Sequence, residues 1–194
     1  MPNSWLSGSQ IIFLIDELIK KNSLQKRADV IFFEDVHEFL PQQTRQYKKI
    51  ESQVMKNLLE LAWAPTSEVS LVGVFWFNQH FLTVHFCQDQ ATAMPVIRIW
   101  DPLSSEEYTT GIQGRLTPYI ANYDCQITRH SLNIQIEDVL TSCGIYAALI
   151  SVAILCGSDR EPFNLRTLSV RALQMLRTWI RDRGLLVEQS SLTL

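Results

Sequence analysis

Clustered cysteines are missing from this chain. Cys87, Cys125, Cys143 and Cys156 form no Cys-x-x-Cys pair, so the spacing of a structural zinc site is absent, and a disulfide framework is not expected at 194 residues. A reducing compartment is the simpler expectation. An excess of either charge is lacking too. The 17 Lys and Arg stand against 20 Asp and Glu, a net charge of −3, which argues against a nucleic-acid surface or a polybasic membrane anchor. The basic residues of "RTLSVRALQMLRTWIRDRG" recur at helical spacing beside acids, the pattern of a solvated helix face. No apolar run is long enough to cross a bilayer: the stretch 144–156 is too short and is interrupted by Ser151. At the N-terminus the charges follow the apolar part, the reverse of a secretory signal. Repeats, linkers and low-complexity tracts are also missing, so one domain over residues 1–194 is expected, long enough for a full core.

What is present reads as helices around strands. "SGSQIIFLIDELIKKN" predicts a first helix, with Ser7 or Ser9 as its cap, apolar residues at Ile11, Ile12, Leu14, Ile15, Leu18 and Ile19, and Lys20 and Lys21 at its C-terminal end. "ADVIFFEDVHEFL" fits either a short strand or a turn of helix. A second helical pattern runs through Tyr47, Ile50, Val54, Leu58 and Leu61 until Pro65. Next, "EVSLVGVFWFNQHFLTVHFCQ" and "MPVIRIWDPL" are rich in β-branched and aromatic residues and predict two or three adjacent strands. A helix near 112–122, another strand in "CQITRHSLN", a helix from Cys143 and a last helix from about Leu165 to Arg183 complete the pattern. The expected class is α+β, a central mixed sheet packed on the helix that starts at Cys143 and flanked by further helices.

A thiol becomes a nucleophile when a helix N-terminus and an imidazole favour its ionised form. Cys143 opens a helix, and Gly144 after it lets a reactant approach the backbone. His80 and His85 are five apart on one strand and therefore face opposite sides, so they cannot both line one site. His80 lies at the polar edge "FNQH", while His85 lies further in. Asp101 ends the next strand, with Pro102 behind it. If the two strands pair, Asp101 and His80 meet at one edge, the arrangement that fixes an imidazole tautomer.

In this order the motifs resemble those of the ubiquitin-like-protein proteases of the adenain-like cysteine-protease clan, which includes SUMO and NEDD8 proteases and several bacterial deubiquitinases. "SWLSGSQIIFLIDEL" is similar to the family's opening Trp-Leu and helix, matched by Trp5 and Leu6. "FNQHFLTVHF" is similar to its His-Trp strand, with His80 at the histidine and Phe81 in place of Trp. "IRIWDPL" matches the strand ending in Asp, and "SCGIYAALI" matches the Cys-Gly opening of the central helix. The resemblance covers nearly the whole chain. It departs at Gln135, which stands eight residues before Cys143 where SUMO proteases place a Gln six before; that position holds Glu137. Either the loop "IEDVLT" carries an insertion and Gln135 still reaches, or the oxyanion hole is made differently. Ser142 replaces the Asp before the cysteine, and Gly8 replaces an Asp of the opening motif.

The resemblance implies a papain-like or adenain-like fold and a thiol isopeptidase cleaving after a Gly-Gly terminus. Cys143 would attack, His80 would carry the proton, Asp101 would orient His80 and Gln135 would stabilise the oxyanion. Trp5 and Phe81 would roof a narrow tunnel that admits only glycine. It implies no metal and no organic cofactor. The partners implied are ubiquitin or a ubiquitin-like protein (SUMO, NEDD8) and its conjugates, with no nucleic acid and no membrane, and the chain acting as a monomer. The location implied is intracellular, in nucleus or cytoplasm, or in a host cell if a bacterium delivers it. Two alternatives stand beside it: a YopJ-type acetyl-coenzyme A-dependent protein acetyltransferase, and a catalytically weak modifier-binding module.

Overall fold

The computed structural model describes residues 6, 8–21, 30–35, 56–57, 59–64, 71–89, 91–135 and 142–156, and in the last part of the chain 171–172, 174–176, 178–180 and 182–183. Eight elements organise them: α1 (Gly8–Lys21), β1 (Val30–Asp35), β2 (Leu71–Phe77), β3 (His80–Gln88), β4 (Pro95–Asp101), α2 (Glu106–Ile120), β5 (Gln126–Ser131) and α3 (Cys143–Leu155). Helical residues also occur at 59–62 and within 171–183, the described parts of the two helices expected there. The remainder of those helices, Tyr47 to Val54 and Leu165 to Val170, lies outside the described residues.

The five strands form one sheet in sequence order. β2, β3 and β4 run antiparallel, whereas β1 joins β2 and β5 joins β4 in parallel. The ambiguous "VIFFED" is thus a strand. Between β2 and β3 the chain reverses in two residues, Asn78 and Gln79, with φ of 45° and 63°. Paired positive φ values mark the tight turn whose twist matches that of the flanking strands, and Asn tolerates this region well. β5 is antiparallel to nothing because α2 carries the chain across before it pairs, as a parallel connection requires.

Each face of the sheet packs a helix. On one side lies α3, "CGIYAALISVAIL", with nearly every residue buried. Such an all-round apolar helix belongs between two layers, and here β2 and β3 lie on one flank and the Ile11, Leu14 and Ile15 stripe of α1 on the other. Thr83 of β3 ties the layers by donating to the Ala147 carbonyl at 3.0 Å, in a buried position, and Ser151 Oγ donates to the same carbonyl at 2.7 Å. Thr83→Val, which keeps the shape and removes the donor, is expected to cost about 1 kcal/mol. A urea midpoint identical to wild type would refute that tie. On the opposite face α2 buries Ile112, Leu116 and Ile120 beside Trp63, whose indole N–H donates to the Cys87 carbonyl at 3.1 Å.

The helix expected at 112–122 begins six residues earlier, at Glu106. Gly111, Gly114 and Pro118 weaken its intrinsic propensity, which hides its first half from a reading of local pattern. Glu106 and Glu107, in the first turn, suit the positive end of the helix dipole, and the buried Ile112 and Leu116 anchor it to the sheet. Packing overrides propensity here.

Candidate active site

The chemistry gathers at the end of the sheet where β3 begins and β4 stops. The two-residue turn delivers His80 as the first residue of β3, opposite Phe77 in the register. Asp101 is the last residue of β4, and Pro102 cannot extend the ladder. The side chains meet: His80 Nε2 lies 2.7 Å from Asp101 Oδ1, with both residues buried. Asp101 also accepts the backbone N–H of Leu103 on Oδ1 at 2.8 Å and that of Ser105 on Oδ2 at 2.6 Å. Ser104 sits at φ 66° in this turn, a strained conformation for a side-chain-bearing residue that the two hydrogen bonds from its neighbours Leu103 and Ser105 to Asp101 help to hold. A carboxylate accepting from three donors takes its third bond from the Nε2–H tautomer of His80. Nδ1 is then the ring nitrogen that can accept a proton.

Cys143, fully buried, opens α3 as expected. Its neighbour Gly144 fits against the strand beside His80: a Cβ on Gly144 would stand 3.0 Å from Ile11 Cδ1 and 3.3 Å from Phe81 Cδ2. The absence of a side chain at residue 144 lets the helix start settle this close without displacing Ile11 or Phe81. Tyr108 of α2 completes the cluster. Its ring stacks on the His80 imidazole, centroids 4.4 Å apart and planes at 28°. Burial pushes its phenol pKa up, with further increments from the charges of Glu107, Asp101 and Cys143. The phenol is therefore neutral around physiological pH, and its surroundings include both the Asp101 carboxyl and the Cys143 thiol.

The other expected site residues fall as follows. Gln135 is buried, and its backbone N–H donates to the Pro102 carbonyl at 3.0 Å, beside a bond of 2.9 Å from the Ile134 N–H to the same oxygen. The segment after β5 is thus laced to the turn after Asp101, which also takes the Leu132 N–H on its own carbonyl at 3.0 Å. The loop "IEDVLT" and Trp5 lie outside the described residues. Phe81 points to the face opposite His80, as period-two alternation requires. It is 3% exposed and packs with Trp76, ring centroids 4.3 Å apart. His85 is buried further along β3, on the Phe81 side, and His130 stacks on Trp100 with ring centroids 3.9 Å apart. Among the described residues, no group of three or more His, Cys, Asp or Glu is arranged to hold a metal ion.

Sequence reasoning missed Tyr108. The signal available was an aromatic residue following two acids just after a strand-ending Asp-Pro, at what proves to be the first turn of a helix.

No protein-family model and no curated protein matches this chain. Solved structures do. The Legionella pneumophila effector protein RavZ aligns with a TM-score of 0.55 at 9% identity, covering 90% of this chain and 65% of that one. The catalytic domain of a Chaetomium thermophilum Ulp1-like SUMO protease aligns with a TM-score of 0.51 at 10% identity, covering 95% and 72%. The Rickettsia bellii effector protein RickCE also aligns with a TM-score of 0.51 at 10% identity, covering 77% and 57%. The chain spans less than two thirds of either effector's length. At such identities the likeness is one of architecture: this chain has the mixed α+β fold of the Ulp1-like cysteine proteases.

Proposed function

We propose that the chain is a thiol isopeptidase acting after the Gly-Gly terminus of ubiquitin or a ubiquitin-like protein. The observation that carries this reading is the buried 2.7 Å bond between His80 and Asp101, at the sheet end against which the first turn of the Cys143 helix packs. A purely structural cysteine could be equally buried, but it would not need an imidazole held in one tautomer by a carboxylate on the neighbouring strand. Cys143 Sγ attacks the glycine carbonyl carbon and its proton passes to His80 Nδ1. The C–S bond forms, the tetrahedral oxyanion collapses, and the C–N bond breaks as His80 returns the proton to the departing lysine amine. Water, deprotonated by His80, then cleaves the thioester and restores the thiol. Asp101 holds the ring throughout. Backbone N–H groups at the start of α3, with Gln135, stabilise the oxyanion, and Trp5 shapes the glycine passage, while Phe81 supports the first turn of α3 from within the core. The chain's own residues suffice for these steps. The reading places the protein inside a cell, in its nucleus or cytoplasm, or in a host cell.

A panel of ubiquitin-like modifiers with electrophilic C-termini tests it. Wild type is expected to form a covalent adduct at Cys143 with at least one member, and Cys143→Ala with none, while hydrolysis of the matching conjugate falls by at least about 10⁴-fold. Undiminished hydrolysis by Cys143→Ala would overturn the assignment. Labelling of Cys143 by acetyl-coenzyme A in place of any modifier would redirect it to acyl transfer.

A further inference from the structure

The His80–Asp101 bond fixes only part of the imidazole geometry. A single hydrogen bond at Nε2 leaves the ring able to rock about the line between the two atoms, and with it the direction of Nδ1. A face contact removes that freedom. We propose that Tyr108 is a positioning residue, its ring clamping the imidazole of His80 so that Nδ1 is aimed at the Cys143 thiol; this rests on the triad reading above. Two independent contacts seat the clamp. Tyr108 lies over His80 at 4.4 Å. Three residues along the same helix face, Gly111 lies over Phe77, so close that a Cβ there would stand 2.3 Å from the Phe77 ring. Phe77 and His80 are register partners across the β2–β3 turn, so α2 grips the hairpin end through two adjacent positions. Arg115, one turn further on, places its guanidinium 5.3 Å from the Phe77 ring centre and closes the row.

The face contact has an electrostatic side as well. The π cloud of a neutral phenol attracts the positive imidazolium that accompanies a thiolate. Among the described residues, the titratable groups gathered about the His80–Tyr108 stack include Asp101 from β4, Cys143 from α3 and Glu107 from α2. Losing the clamp should therefore shrink the thiolate fraction at low pH, as well as slow catalysis.

Carbamidomethylation by iodoacetamide tests this without knowledge of the modifier. The rate at each cysteine is read by mass spectrometry, as the ratio of its value at about pH 6 to that at about pH 9, so that differences in access cancel. Cys125 and Cys156 serve as internal standards, because burial pushes both thiols above the ordinary range. They bind their protons throughout the lower part of the window, and their ratio should fall by about 10²-fold or more. In wild type the Cys143 rate should fall by less than about fivefold, and His80→Ala should bring it to the standards' behaviour. Tyr108→Leu should lower the Cys143 ratio by about tenfold, whereas Tyr108→Phe, which keeps the ring face, should stay within about twofold of wild type. Rising rates at both standards in Tyr108→Leu would signal a loosened fold, and Tyr108→Gln is then read in its place. Wild-type Cys143 behaving like the standards refutes the triad reading itself. An activated wild-type Cys143 that Tyr108→Leu leaves unchanged overturns the clamp alone. Equal losses in Tyr108→Phe and Tyr108→Leu overturn it too, since the hydroxyl would then carry the effect.

Discussion

Replacing Asp101 with Ala is expected to reduce hydrolysis of a cognate conjugate by about 10³- to 10⁴-fold and to lower stability by about 2–4 kcal/mol. The two losses have different origins. Activity falls because His80 loses the acceptor 2.7 Å from Nε2, so its tautomer and orientation are no longer set. Stability falls because the Leu103 and Ser105 N–H groups lose the carboxylate oxygens that satisfy them, in a turn whose Ser104 already adopts φ 66°. Asp101→Asn separates the two effects. An amide oxygen can still accept one backbone N–H, so stability should recover by at least half. Its NH₂ group must then face another donor, either His80 Nε2–H or a backbone N–H, so activity should stay at least about 10²-fold down. Steady-state kcat and urea denaturation midpoints read the two axes. Full activity in Asp101→Ala would remove the carboxyl from the mechanism.

Phe81→Ala is expected to destabilise the protein by about 3–4 kcal/mol. The ring is 3% exposed and fills the space between Trp76 and the first turn of α3. Its loss opens a cavity under Gly144, the residue following the proposed nucleophile. Activity should fall beyond what the unfolded fraction explains, because the helix start can then shift against the strand bearing His80. Phe81→Trp restores the residue the protease family favours but adds volume where a glycine already permits the approach, and should cost about 1–3 kcal/mol. An unchanged denaturant midpoint in Phe81→Ala would show that the ring is not part of the core.

The parts of the site legible in the sequence are those written in short-range pattern. Apolar periodicity marked α1 through Ile11, Leu14 and Ile15, all fully buried. The β-rich texture marked β2 to β4, and a histidine at the start of one strand with an aspartate at the end of the next was enough to anticipate their meeting. The parts that were not legible depend on which elements become neighbours. Nothing local in "VIFFED" says that it pairs in parallel with β2, across some forty intervening residues. Nothing in "SSEEY" says that the tyrosine ring will lie on an imidazole from another element, because that follows from the Gly111–Phe77 approach. Gln135 is drawn to the Asp101 turn by backbone bonds to Pro102, and backbone bonds leave no signature in residue type. The burial of Phe81 away from His80 was legible as well. Period-two alternation from an inward-facing His80 already sends residue 81 to the other face.

The turn of Asn78 and Gln79 is a ratchet with one permitted tooth. Because it reverses the chain in two residues, the length of the loop and the identity of the residue facing Asp101 are one variable. An extra residue passed into β3 would turn every later side chain over. His80 would face α3, and Phe81 would be offered to the carboxylate. The distance from this turn to the proposed base is a single peptide bond. The tip of this hairpin, which looks like an ordinary surface loop, should therefore reject insertions that the 89–94 turn at the other end of β3 accepts.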